Sequence, residues 1–142
     1  MKILVTGGCG YKGSVLIPKL LQKGHDVISF DTYWFGNYLP EHKNLNSIKG
    51  DIRDLSSLDL NGIDTIIHLA NIANDPAVEL NATMSWEVNV LAGQQLIELA
   101  RLAKVKHFIF ASSGSVYGIK NEKEVIEELS LVPISTYNKT KM

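Results

Sequence analysis

Tyr137 and Lys141, in the stretch STYNKTKM, stand four residues apart. On a helix that spacing puts both side chains on one face. An unperturbed phenol titrates at about pH 10, so it becomes a base near neutrality only where positive charge stabilises its phenolate. An ammonium one helical turn away supplies such charge, and the pair is a candidate for moving a proton on and off a substrate hydroxyl. Alone, Tyr-x-x-x-Lys is commonplace on a solvated helix face, so its meaning depends on what precedes it. Upstream, ASSGSVYG offers the hydroxyls of Ser112, Ser113 and Ser115 at the end of an apolar run. Any of them could hydrogen-bond a reacting oxygen, although serines there also cap turns by bonding to nearby backbone.

At the other end of the chain, TGGCGYKG follows one apolar run and opens another. Gly7, Gly10 and Gly13 lie three apart, and Gly8, Gly10 and Gly13 also satisfy G-x-G-x-x-G. Glycines at such a strand-to-helix turn let the chain reverse sharply, let a pyrophosphate approach the backbone and let helix and strand pack closely. The helix N-terminus then offers free N–H groups and partial positive charge to the phosphates. Asp31 falls eighteen residues past Gly13 at the tip of the next apolar run, where a carboxylate hydrogen-bonds adenosine ribose hydroxyls and repels a 2′-phosphate. NAD is therefore favoured over NADP. Cys9, inside the turn, reads as a small packing residue.

The elements that must position these groups alternate. Strands are expected over 2–6, 25–31, 47–51, 64–70 and 105–112, with helices over 13–24 and 82–103 and a further helix opening at Tyr137. Gly24 is placed to stop the first helix, and Pro18 inside it removes one hydrogen bond. Met84, Val88, Leu91, Leu96, Leu99 and Ala103 form the apolar side of the long helix. Near-continuous apolar strands, crossover helices and no hairpin signal predict an α/β, doubly wound parallel sheet in one domain spanning 1–142. The polar, acidic stretch 118–130 is the candidate mobile loop.

Composition narrows the function classes. The 142 residues are 45% hydrophobic and 20% charged with a formal net charge of -1, as in an ordinary globular domain, with no electrostatic footprint for nucleic acid or an anionic membrane. No apolar run reaches the roughly 18 residues of a spanning helix, and MKILVTGG is too short in apolar residues for a signal peptide. A cytoplasmic location is the default expectation. A single cysteine excludes an internal disulfide and a cysteine-based zinc site, and His25, His42, His68 and His107 show no ligand spacing. No metal is expected.

TGGCGYKG, GDIRD, IIHLA, SSGSVYG and YNKTK occur in this order at spacings that resemble the extended short-chain dehydrogenase/reductase family, the NAD-dependent nucleotide-sugar epimerases and dehydratases. The resemblance covers the whole chain and implies a Rossmann fold. It implies that the glycine loop, with Tyr11 and Lys12, holds the pyrophosphate, that Asp51 and Ile52 hold the adenine, and that Leu69, Ala70, Asn71, Asn89, Ala111 and Ser112 line the cofactor cleft. Asn37 follows as a contact in the loop after Asp31, where Trp34 and Phe35 fit loop packing or a subunit contact. The chemistry falls to Tyr137 and Lys141, aided by the positive nicotinamide, with Ser113 in the place of the family's catalytic Ser or Thr and Ser115 towards the substrate. The family's dehydratases carry Asp-Glu where Gly114 and Ser115 stand, so the resemblance favours an epimerase acting at C4 through a transient 4-keto sugar over a 4,6-dehydratase. A 4-keto-sugar reductase would use the same residues. Two positions depart from the pattern: Lys12 where the family is usually apolar, and Ala73 where some epimerases place a basic residue against the pyrophosphate.

The resemblance further implies that the Tyr-x-x-x-Lys helix lies midway along a longer enzyme, that a C-terminal substrate domain follows it, and that the whole forms a homodimer through a helical bundle. Taken at face value, the chain is the N-terminal part of a nucleotide-sugar enzyme, inactive by itself. A chain of this length in nature would instead be a non-catalytic NAD-sensing domain.

Overall fold

The structure, a computed structural model, describes residues 1–142. Its centre is β1 (Lys2–Thr6), buried from Ile3 to Thr6. Ile3 and Val5 pack with Ile17, Leu21 and Val27 on one face, whereas Leu4 joins Phe30, Ile66, Val88 and Leu96 on the other. That alternation is the two-residue period of a strand covered on both sides. With β2 (Asp26–Asp31), β3 (Leu45–Lys49), β4 (Thr65–His68) and β5 (His107–Phe110) it builds a five-stranded sheet in the order β3-β2-β1-β4-β5. Every neighbouring pair is parallel. The chain moves outward from β1 through β2 to β3, then returns to the far side of β1, which opens a crevice beyond the strands' carboxyl ends.

The strands end earlier than the sequence suggests. β3 stops at Lys49, β4 at His68 and β5 at Phe110. Gly50–Ile52, Leu69–Asn71 and Ala111–Ser112 therefore lie just past the strand ends, where the Gly50, Leu69 and Ala111 N–H groups still bond to Asp31, Thr6 and His68, in position to face the crevice.

Helix α1 runs Tyr11–Gln22, two residues ahead of the expected start, so Pro18 sits in its interior rather than near its opening. Its missing N–H leaves the Ser14 carbonyl without an intrahelical partner. Ser14 is exposed, and water can take that place.

A short helix that the sequence reading omits, α2 (Asp75–Leu80), starts where the Asn74 side chain accepts from the Ala77 N–H at 3.1 Å, with proline in the first turn. Cap and proline together are a start signal legible in NDPAVEL. Asn81 then caps α3 (Ala82–Trp86), and the expected single helix is interrupted by a π turn over Glu87–Leu91 before α4 (Ala92–Leu102). The Ala92 N–H bonds back to the Glu87 carbonyl, five residues earlier. Widening the turn shifts the helix phase, and the buried stripe becomes Val88, Ala92, Leu96 and Ala100. Leu91 and Leu99, expected on that stripe, are 52% and 38% exposed.

A 3-10 turn covers Gly114–Tyr117, the stretch 118–130 carries neither helix nor strand, and α5 (Thr136–Lys141) begins at the cap Ser135, whose hydroxyl accepts from the Asn138 N–H. No helix is long and apolar enough to cross a membrane.

Candidate active site

A cavity of about 490 Å³ lies across the carboxyl ends of the strands. Its floor is the glycine turn. Gly7 adopts φ 69°, and a Cβ there would come within 2.6 Å of the Ala70 backbone nitrogen, so only glycine both turns the chain and lets β4's end approach. A Cβ at Gly13 would strike the backbone of Gly8, which explains how α1 sits so close over β1. Gly10, Tyr11, Lys12 and Gly13 open α1 towards the cavity. The first N–H groups of an α-helix have no intrahelical partner, and no side chain caps these.

Asp31 closes β2 and holds two loops at once. Its carboxylate accepts from the Cys9 N–H at 3.0 Å and from the Tyr33 N–H at 2.7 Å, and it lines the cavity. Burial, with the Asp31 charge beside it, pushes the Cys9 thiol up despite its Ser29 contact, as suits a packing residue rather than a nucleophile. Trp34 and Phe35 stand at the mouth, 60% and 79% exposed. Asp51 and Ile52 form the wall beyond β3, with Phe30, Gly50, Ile72, Met84 and Val88 completing an apolar end that the sequence reading did not assemble. Phe30 and Gly50 carried a local signal, being the neighbours of Asp31 and Asp51, whereas the helical contributors depend on how the π turn aims α3 and α4.

Tyr137 and Lys141 line the same cavity. The Tyr137 side chain packs against the main core cluster. Lys141 is 3% exposed; its ammonium donates to the Ala111 carbonyl at 3.0 Å and lies 5.0 Å from the centre of the Phe110 ring. Burial first, and the Lys12 charge second, pull its amine down to about 8. Beneath Phe110, stacked at 5.8 Å, is the buried His68, whose Nδ1 forms a hydrogen bond with Thr6 Oγ1 at 2.6 Å. Burial, and then the Lys141 charge, lower this histidine to about 4, so it is a neutral residue packed behind the cavity.

Fifteen of the nineteen expected site residues line the cavity: Gly7, Gly10, Tyr11, Lys12, Gly13, Asp31, Asp51, Ile52, Leu69, Ala70, Asn71, Ala111, Ser112, Tyr137 and Lys141. Four do not. Asn37 accepts from the Leu39 N–H and contacts Cys9 Sγ. Asn89, 4% exposed on the π turn, accepts from the Ile72 N–H at 2.7 Å and donates to the Ile72 carbonyl and to Thr140 Oγ1. Its amide is spent on holding the cavity wall to α5. Ser113 and Ser115 share a hydrogen bond at 2.7 Å, and Ser113 caps the 3-10 turn.

The cavity suits an extended dinucleotide with its phosphates over α1. A glycine cradle that a Cβ would fill lies in the lining, one carboxylate closes β2 and another lies two residues past β3, and Asn71 Oδ1 is a buried acceptor with no partner in the chain. A parallel sheet, a glycine turn and a Tyr-x-x-x-Lys pair with its lysine buried, all at one crevice, are the features of a dinucleotide-dependent enzyme class.

The family model for the NAD dependent epimerase/dehydratase family matches residues 3–142, and the chain belongs to that family. It is 31% identical over 146 residues to a UDP-glucose 4-epimerase of Corynebacterium glutamicum, covering 100% of this chain and 44% of that protein. It is 40% identical over 157 residues to YtcB of Bacillus subtilis, an uncharacterized UDP-glucose epimerase, covering 100% of this chain and 49% of that one. Among solved structures, MoeE5 in complex with UDP-glucuronic acid and NAD superposes with a TM-score of 0.87 at 34% identity, covering 99% of this chain and 46% of that chain. The chain thus spans about half the length of the relatives it matches.

Proposed function

We propose that this chain is the cofactor-binding and proton-transferring portion of an NAD-dependent nucleotide-sugar epimerase that acts at C4 through a transient 4-keto sugar. The observation that carries the reading is that one cavity joins the glycine turn and the carboxylates Asp31 and Asp51 to Tyr137 and the buried Lys141. NAD held there supplies reversible oxidation of a sugar carbinol.

The chain's own groups have separate tasks in this reading. The free N–H groups opening α1, with Lys12, bind the pyrophosphate; Asp31 takes a ribose, and Asp51 with Ile52 takes the adenine. Tyr137 accepts the proton of the sugar hydroxyl and returns it when the ketone, turned within the site, is reduced from its other face. Lys141 stabilises the phenolate, because a positive charge close to a phenol favours its anion. Ser113, paired with Ser115 in this structure, exchanges that partner for the reacting oxygen, since catalytic hydrogen bonds often form only with substrate bound.

Gly114 and Ser115 weigh against a dehydratase, as elimination of water calls for an acid–base pair that those residues lack. A 4-keto-sugar reductase is the second reading. A homodimer through the helix bearing the exposed Leu91, Leu99 and Leu102 belongs to the same proposal.

The test is to give UDP- and dTDP-hexoses to the whole polypeptide that carries this chain. An epimerase interconverts the C4 epimers with no net change in cofactor, whereas a reductase consumes NADH in step with product. Tyr137→Phe should abolish turnover and keep NAD affinity within a few-fold. Failure of the unaltered protein to bind NAD sinks the proposal.

A further inference from the structure

Asp51 is a shared wall. One side of it faces the dinucleotide cavity, and the other faces a shallow surface pocket that holds Arg53, Asp54 and Glu87. Arg53 lines only the second of these.

From there Arg53 grips Asp51 three ways. Its backbone N–H donates to Asp51 Oδ1 at 2.9 Å, Nε lies 3.1 Å from Oδ1 and 3.2 Å from Oδ2, and Nη2 donates to Oδ2 at 2.7 Å. The remaining arm, Nη1, donates to Glu87 Oε2 at 3.0 Å, and Glu87 is the first residue of the π turn. Asp54, the other nearby carboxylate, is engaged with the Ser56 N–H instead. The guanidinium is thereby held between the Asp51 and Glu87 carboxylates.

A carboxylate offers about four lone-pair sites. The backbone N–H and Nε–H meet Oδ1 and an Nη2–H meets Oδ2, with Nε–H shared at longer range, so Oδ2 carries the single acceptor site left for a further donor. Beside it on the cavity side stand Phe30, Ile52, Ile72 and Val88, an apolar slot suited to a flat heterocycle. One acceptor at the rim of such a slot selects a ring bearing an exocyclic amine over one bearing an oxygen there, because an oxygen would face the carboxylate with no hydrogen between them.

We propose that Arg53 is a positioning residue that, from outside the cavity, fixes the one free acceptor of Asp51 and so makes the site select adenine over hypoxanthine in the bound dinucleotide. The inference rests on the NAD reading above. It gives the Arg53–Asp51–Glu87 cluster a purpose that its partial exposure denies it as a source of stability, since exposed ion pairs contribute little.

The test compares equilibrium binding of NAD and of nicotinamide hypoxanthine dinucleotide, by calorimetry, to the unaltered protein and to Arg53→Ala. The unaltered protein is expected to prefer NAD by about tenfold or more, as for a hydrogen bond to a charged group. Arg53→Ala should reduce the preference to within about threefold while changing the hypoxanthine analogue's affinity less than that, and Arg53→Lys, which lacks the planar fork, should not restore it. A purely structural role for Arg53 would weaken both ligands alike, and that result, or an unchanged ratio, overturns the inference. Should Arg53→Ala fail to fold, Glu87→Ala releases Nη1 and should lower the ratio about two- to fivefold; an unchanged ratio there overturns it equally. If the unaltered protein binds the hypoxanthine analogue as tightly as NAD, the inference falls and the NAD reading stands. If it binds neither, the NAD reading itself has failed and takes the inference with it.

Discussion

Ser112 and Lys141 are joined through the backbone of α5: the Ser112 hydroxyl donates to the Lys141 carbonyl at 2.8 Å, while the Lys141 ammonium returns to the carbonyl of Ala111 at 3.0 Å. The end of β5 therefore holds α5 at both its main chain and its side chain. Removing the hydroxyl with Ser112→Ala should cost about 1 kcal/mol. Amide hydrogen exchange at Thr140 and Lys141 should quicken in that variant while β1 amides stay protected. Equal acceleration throughout the sheet would contradict the local role.

Lys141 should titrate far from an ordinary lysine. Burial and the Lys12 charge bring it from 10.5 to about 8. Replacing Lys12 by Gln removes one of the two causes, so the Lys141 amine should move upward, as read by NMR of isotope-labelled lysine side chains. A downward move, or none, would mean that Lys12 does not act on it. Between about 8 and 10.5 the unfolded chain holds more protons than the folded one, so this group makes stability rise with pH across that window.

His68 gives a second window of the same sign. Its folded value of about 4 lies below the ordinary 6.5, so between them the unfolded state again binds more protons and stability is lost as pH falls from 6.5 towards about 4. The loss is at most roughly 3 kcal/mol. His68→Leu should be less stable at neutral pH through loss of the Thr6 bond, yet should show a flatter dependence between those values. Parallel curves for the two proteins would refute the assignment.

Asn89 secures the cavity wall rather than lining it. Asn89→Ala strands the buried Ile72 N–H and carbonyl and should cost at least about 2 kcal/mol in denaturant unfolding. Thr140→Val removes the link from Asn89 and the hydroxyl's own bond to the Tyr137 carbonyl, yet leaves the Ile72 pair in place, and should cost about 1 kcal/mol. The order should not reverse.

Much of this architecture is legible in the sequence because its signals are local. The glycine turn, Asp31 and the buried apolar strands each announce themselves within a few residues, and five strands and the first helix fall within two or three residues of their expected places. What escapes is set by partners distant in the chain. The π turn follows from no composition cue, and with it go the exposed Leu91 and Leu99 and the inward turn of Asn89. The assembly of Met84, Val88 and Ile72 into one wall depends on the same displacement. The short helix α2 is a different case, since Asn74 and Pro76 marked its start.

The π turn also decides where this chain can tolerate a change of length. Its backbone bonds span five residues where a regular helix spans four, so Glu87–Leu91 stores one residue of slack. Loss of a residue there, sparing Asn89, can close the ladder into ordinary helix while Ser85 and Leu96 keep their orientation. The same loss within α4 would rotate Ala100 off the sheet. Insertions and deletions in this helix are therefore not equivalent, and the wide turn is its expansion joint.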